Sequence, residues 1–484
     1  VTLFLGALLG FAVTPILFNH LGTVAFGTWS LVIGTVTYLS LLEAGIGLAT
    51  ITRVAASEDS GPETLGQILS TSLALFCVVT VVGIGLSGVV AATFPLLFHV
   101  PSRLTGSAQW AVFLVGAWQS ISFLTNAYST CLLGTGRMHL VNLSGFAVSA
   151  LTSIAQVAVV LTGGGIVGLA AVQCVGAPIT FLVFRWQVQK VLPRSRIHLR
   201  YADRAMARLL VSLGWRNSVT SVSLTLAFGS DVVLVGLLLN PIAAAAYAIA
   251  LRIYTLLQRI TTGAIGAIGP VHARAAVSDT PERRFRLYCL SLSASLGLAL
   301  FAALTVGVYG EALLRLWIGG APAATSHVLI LLCAVLALQT PGFSAYSVLL
   351  SSEQAGALMH IVVAAALTNV LASVLFTLAF GTIGPALGSL VAVAVFDAAY
   401  LPSRTCSLLD ARYSRLVSQV FLPLLLPVVV LAGILAVGRL TVPDGPGVLI
   451  VIMLGGAAFL AVLSQTEAAR DIWRLVRREP AATT

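Results

Sequence analysis

Long apolar runs, separated by short polar breaks, dominate the chain and are its main structural signal. About fourteen of them approach the ~20 residues that a helix needs to cross hydrocarbon. They are 2–19, 28–50, 67–98, 108–133, 140–162, 166–187, 215–239, 243–270, 286–309, 325–350, 357–380, 383–402, 418–438 and 447–465. Most connections are brief and punctuated by Gly or Pro, as at Asn240-Pro241 and from Gly381 to Pro385. The pattern predicts an all-α, polytopic membrane protein with about 14 transmembrane helices.

One run differs from the rest. Residues 243–270 are apolar enough to span a bilayer yet carry Arg252 and Arg259 in their interior. On a helix these two stand roughly 10 Å apart along one face, at about 1.5 Å per residue. Thr255, Thr262 and Gly266 continue that face at steps of three and four. An arginine facing lipid at mid-bilayer costs from ~3 to above ~10 kcal/mol, depending on the scale. The face is therefore expected to look into a cavity that handles an anion. Buried ion pairs that only lock helices together are the alternative.

The Asn240-Pro241 turn supplies a register for that comparison. Asp231 precedes it and Arg252 follows it by similar distances, so an antiparallel hairpin predicts an Asp231–Arg252 ion pair. At the level of Arg259 the incoming helix offers Asn217, Thr220, Ser221, Ser223 and Thr225, all neutral. Arg259, with Arg252 and Asn217, is the expected anion site, because a planar guanidinium matches phosphate oxygens. Glu43, in the second span, and Asp231 are candidates for coupling or gating; a neutral packing acid is the competing reading of Glu43.

Composition agrees: 58% of the 484 residues are hydrophobic, 9% are charged and the mean hydropathy is +1.02. The formal net charge is +10. If the first connection is external, most Lys and Arg fall in the internal segments, whereas Arg103, Arg315 and Arg439 fall outside. This positive-inside bias places both termini in the cytoplasm and makes the charge a matter of topology, with no call on nucleic acid. The longest polar connection, Arg185 to Arg208, is strongly basic, and an amphipathic helix from Tyr201 to Leu213 is expected within it. The chain opens on an apolar run without a basic segment or cleavage site before it, which reads as a first crossing; a start at Val1 suggests a clipped N-terminus. Six scattered cysteines without a CxxC pair read as packing residues.

A weak internal repeat divides the chain. The stretch from Leu132 to Ala170 is echoed by Leu349 to Leu387, at an offset of about 220 residues, the kind of symmetry that two-bundle transporters show. The expected organisation is a six-helix N-lobe over 1–195, a C-lobe over 196–405 with the basic linker and six more helices, and 406–484 with two added helices and a tail.

The first lobe reads Pro15-Ile16-Leu17, Leu21-Gly22, Phe26-Gly27-Thr28-Trp29, then Leu41-Leu42-Glu43-Ala44-Gly45-Ile46-Gly47 and Arg53. The second opens with Asp231-Val232-Val233-Leu234-Val235-Gly236, followed by Ala246-Tyr247 and Arg252. This pattern resembles the polysaccharide-biosynthesis flippases of the O-antigen type, in the superfamily that also holds the MATE exporters and lipid II flippases. Such flippases usually carry an aspartate where Glu43 stands and a basic N-terminal tail that is absent here. The resemblance implies a MATE-like fold of two pseudo-symmetric six-helix lobes. It also implies a polyprenyl-diphosphate-linked glycan as substrate, the bacterial cytoplasmic (inner) membrane as location, membrane lipids as surroundings and proton or sodium as a coupling ion. A monomer that needs no cofactor is expected. A cation-coupled multidrug antiporter of the MATE type is the alternative, and a non-transporting scaffold a third reading.

Enzymatic readings find little support. Lys190 is the sole lysine, so the chain holds neither a GxxxxGK[ST] phosphate loop nor an intramembrane lysine for Schiff-base chemistry. No histidine pair has HExxH spacing.

Overall fold

The computed structural model describes residues 2–43, 45–57, 61–192, 197–350, 355–442 and 445–465. Among them there are helices and turns and no strand. Ten helical segments are long and apolar enough to cross a membrane, and the protein is a multi-pass membrane protein. Two of the ten, Leu5–Glu43 and Leu358–Leu408, each contain two of the expected crossings. The chain divides into two compact units, Val1–Ala248 and Ile249–Thr484.

In the first unit, α1 (Thr2–Thr37) is a single element only by its hydrogen bonding, because Gly22 (φ 76°, ψ 166°) breaks it between the first and second crossings. The second crossing tightens into a 3-10 turn, Tyr38–Glu43, and restarts as α2 (Ile46–Ala55) after Gly45, whose φ is 66°. A side chain at Gly45 would run into the Gly214 carbonyl, so glycine is required there for conformation and for close approach. Then come α3 (Pro62–Leu97), α4 (Thr105–Gly134), α5 (Met138–Leu161) and α6 (Gly165–Val191). The linker closes on a 3-10 turn, Leu199–Tyr201, and leads into α7 (Arg204–Gly229), α8 (Asp231–Leu238) and the start of α9 (Pro241–Ser278).

α4 is the centre of this unit. It falls outside the ten strongly apolar segments and is packed largely by protein: Phe123, Tyr128, Cys131 and Leu132 are buried against Phe76 of α3 and Phe184 of α6. Paired small residues bring α3 and α4 together, since a Cβ at Gly83 would meet Ser120 and one at Gly116 would meet Ser87. Thr80 Oγ1 adds a hydrogen bond to the Ser120 carbonyl at 2.9 Å. The basic linker is anchored to α3, where Ser70 Oγ accepts from the His198 amide (3.1 Å) and Thr71 Oγ1 from the Asp203 amide (3.0 Å). Asp203 then caps α7 by accepting from the Met206 amide at 2.7 Å, which starts the expected amphipathic helix at Arg204.

The second unit holds the rest of α9 with α10 (Pro281–Ile318), α11 (Ala324–Leu350) and α12 (Ala355–Phe380). After α13 (Gly384–Val393) a π-helical segment, Ala394–Tyr400, leads into α14 (Leu401–Leu408). Next, α15 (Tyr413–Leu416) passes through a second π segment, Val417–Phe421, into α16 (Leu422–Thr441), and α17 (Gly447–Ser464) follows. The core is built on α10 and α11: Phe285, Tyr288, Leu292 and Leu296 meet Val348, Leu349, Leu401 and Cys406. The last hairpin packs on α10 as well, with Tyr309 buried among Leu431, Leu435, Val448 and Phe459.

Substituting Gly45 by Ala should destabilise the protein by ~1–3 kcal/mol, from the left-handed backbone and the Gly214 contact together. Gly85→Ala, where a Cβ would meet open space, is the control. Thermal melts in detergent should show a clear drop for the first and none for the second.

Candidate functional site

The two candidate acids of the first unit, Glu43 and Asp231, stand at helix breaks. Glu43 ends the 3-10 turn just before α2, and its Oε1 sits against the backbone of Gly47 in the first turn of that helix. A carboxylate there meets free amides and the positive end of the helix dipole. Asn126 of α4 supplies a second donor, its Nδ2 reaching Glu43 Oε2 at 3.3 Å. Glu43 is half-buried, so the carboxylate is held without being sealed.

Asp231 follows a comparable break. Ser230 interrupts α7 and α8, and Asp231 is the first residue of α8, 4% exposed. Tyr247, fully buried on α9, donates its hydroxyl to Asp231 Oδ2 at 2.6 Å. The sequence pairs Asp231 with Arg252, which belongs to the second unit; Tyr247 lies on the same helix but within the first. The tyrosine was hidden in an apolar run and gave no sequence signal for this role.

In the second unit, α9 has two polar stripes with different duties. Arg252 and Arg259 are both exposed, with Gly263 and Gly266 open beside them. Tyr254 and Gln258, one turn apart on the adjoining stripe, face α11: Tyr254 Oη donates to Gln339 Oε1 at 2.8 Å. Gln258 Nε2 donates to Tyr254 Oη at 3.1 Å and to Gln339 Oε1 at 3.3 Å. Gln339 is completely buried, two residues before the proline at 341. These hydrogen bonds, all made to Gln339 Oε1 or Tyr254 Oη while Gln339 Nε2 is left unbonded, fix the rotation of α9 relative to α11, and with it the direction in which the arginine stripe points. Neither glutamine was singled out in the sequence, because an amide in an apolar run has no periodicity of its own.

Asn217, expected beside the arginines, lies on α7, and its side chain is outside the described residues. Asp397 sits within the π segment, half-buried, with its carboxylate against the backbone of Gly342 on α11. On α12, Asn369 Nδ2 donates to Ser389 Oγ of α13 at 3.0 Å, a buried pair that ties those helices.

The model of the polysaccharide biosynthesis protein family matches residues 1–276, more than half of the chain. The chain belongs to that family. The match runs from the first crossing through both acids and both α9 arginines, so these residues all lie within the family's own region. No curated protein sequence matches significantly. Among solved structures, the lipid II flippase MurJ in an inward closed conformation is similar at 14% identity with a TM-score of 0.72, covering 99% of each chain. An inward-facing MATE-family multidrug resistance transporter of the MOP superfamily is similar at 18% identity and TM-score 0.70, covering 84% of this chain and 95% of its own. A MOP superfamily transporter from Pyrococcus furiosus matches at 16% identity and TM-score 0.58, covering 85% and 96%. At these identities the likenesses establish the fold, which is MATE-like, as the resemblance implied.

Removing the hydroxyl in Tyr247→Phe takes a donor from the buried Asp231 carboxylate. The expected cost is ~1–3 kcal/mol, the usual penalty for a buried polar group deprived of a partner. Denaturation of the purified protein in mild detergent measures it, and Tyr254→Phe should cost a similar amount by opening the α9–α11 set.

Proposed function

We propose that the protein is a flippase that moves a polyprenyl-diphosphate-linked oligosaccharide from the inner to the outer leaflet of the bacterial cytoplasmic membrane, for cell-surface polysaccharide biosynthesis. A diphosphate carrying sugars does not cross ~30 Å of hydrocarbon unaided, because each unsatisfied polar group costs several kcal/mol there. The arginine stripe of α9 lowers that barrier: Arg259 and Arg252 take the phosphate oxygens, with Asn217 as a neutral contact, while the polyprenyl tail stays in lipid. Rocking of an N-lobe (1–195) against a C-lobe (196–405), with 406–484 appended, turns the head group outward. Glu43 and Asp231, each at the start of a short helix, are the candidates for a coupling proton or sodium ion. The working unit is a monomer with both termini in the cytoplasm, and it requires no catalysis.

The observation that carries this reading is the exposed guanidinium stripe on a helix whose rotation is held from behind by Tyr254, Gln258 and Gln339. Membership of a polysaccharide biosynthesis family gives it a context.

A MATE-type drug antiporter is the second reading, favoured by the MATE transporters among the similar structures. Two observations weigh against it. Those transporters cover 84–85% of this chain, whereas the lipid II flippase covers 99% of both, the final hairpin included. The charges on α9 are also of the wrong sign for a cationic drug. The Pyrococcus protein is itself described as having a binding pocket of reverse polarity that suggests a different function, so this fold is associated with pockets of either sign.

In proteoliposomes holding a fluorescent polyprenyl-diphosphate oligosaccharide, Arg259→Ala should slow transfer between leaflets at least tenfold, with Arg259→Lys intermediate. Glu43→Gln should abolish acceleration by an imposed proton or sodium gradient while leaving the basal rate. Full transfer by Arg259→Ala, together with export of a cationic dye by the wild type, would favour the antiporter.

A further inference from the structure

The turn joining α14 to α15 has its charges in unfavourable places. α14 ends in a paired set of turn hydrogen bonds, the Ala411 amide to the Cys406 carbonyl at 2.9 Å and the Asp410 amide to the Ser407 carbonyl at 3.3 Å. Such an ending puts one residue in the left-handed region, where glycine is the residue of least strain. Here that residue is Asp410, with φ 52°. An acid just past a helix C-terminus also faces the negative end of the dipole. The next helix starts with the opposite mismatch, as Arg412 and Arg415 stand at its N-terminal end, where cations are disfavoured.

Arg415 is compensated: its guanidinium holds Glu282 through two hydrogen bonds, 2.8 and 2.6 Å, and lies over the Phe285 ring at 5.2 Å. Arg412 and Asp410 are not. Among the described residues neither side chain takes an ion pair or a hydrogen bond, and although they are neighbours in the turn they do not pair with each other. Both line an open cavity of about 330 Å³, together with Ala411, Ser414, Arg415 and Ser418. An excess of arginine at a membrane boundary is explained by topology, but an exposed, unpaired aspartate in the left-handed region two residues before an arginine is not.

The position identifies the ligand's source. The turn separates two membrane-crossing segments, Leu358–Leu408 and Tyr413–Thr441, so it lies at the depth of lipid headgroups. Its chemistry identifies the class. Arg412 and the Ser414 hydroxyl offer donors for a phosphate, and Asp410, lining the same cavity, offers a carboxylate for a cation.

We propose that this cavity binds the headgroup of a zwitterionic phospholipid carrying a primary ammonium, a phosphoethanolamine, with its phosphodiester on Arg412 and Ser414 and its ammonium on Asp410. The bound headgroup neutralises both uncompensated charges at once. It thereby pins the boundary between the last hairpin and the rest of its unit to one leaflet.

Native mass spectrometry of the purified full-length chain, with phosphatidylethanolamine, phosphatidylglycerol and phosphatidylcholine added at equal concentration, tests the site. The wild type should retain phosphatidylethanolamine at least threefold over the other two. Arg412→Gln should lower retention of all three, and Asp410→Asn should erase the preference for the ethanolamine lipid. Asp410→Gly should also erase it while melting at or above the wild-type temperature, because glycine suits the left-handed position; the loss then cannot be ascribed to unfolding. An ethanolamine preference that survives in Asp410→Gly, or a wild type that favours phosphatidylglycerol, would overturn the proposal.

Discussion

A helix that carries arginines through hydrocarbon is tolerable only if it cannot roll. Turning α9 by a third of a turn would exchange its arginine stripe for its apolar back, at a cost of several kcal/mol per guanidinium. The hydrogen bonds of Tyr254 and Gln258 to the buried Gln339 oppose that rotation. They are worth ~0.5–1.5 kcal/mol each in net stability, but leaving their buried groups unsatisfied costs more, so the set resists partial opening. Orientation of the charge, more than its mere presence, is what this packing secures.

The first unit obeys a related constraint. Irregular backbone survives at membrane depth only where protein covers it or water reaches it. The breaks at Gly45 and Ser230 satisfy that condition by packing: Gly45 abuts the Gly214 carbonyl, and Ser230 is buried. Each break creates a fresh helix N-terminus, and each N-terminus has an acid beside it, Glu43 at α2 and Asp231 at α8. Each carboxyl thus stands near the positive end of a helix dipole. Donors from other helices bond one oxygen of each, Asn126 to Glu43 Oε2 and Tyr247 to Asp231 Oδ2.

Much of the fold was legible from hydropathy alone, because a crossing must be long and apolar wherever lipid surrounds it. The ten strongly apolar segments fall on expected crossings, and α4 was found although its surroundings are mostly protein. The arginine stripe was legible for the same reason: charge inside an apolar run is conspicuous. The partners were not. Tyr247, Gln258 and Gln339 are neutral residues in apolar helices, and what they touch depends on helix packing between segments distant in the chain, as with Glu43 and Asn126. The π segment that carries Asp397 left no trace in the sequence either, since one extra residue in a helical turn does not alter hydropathy.

The central claim is that the α9 stripe creates an electropositive, water-accessible surface inside the membrane. It is tested most directly by placing a single cysteine at Thr262, in a background without the native cysteines, and comparing its rates of modification by an anionic and a cationic methanethiosulfonate of similar size. The account predicts faster reaction with the anionic reagent, by several-fold, and loss of that difference when Arg252 and Arg259 are both replaced by glutamine. Equal rates, faster reaction with the cation, or no reaction with either reagent would contradict it.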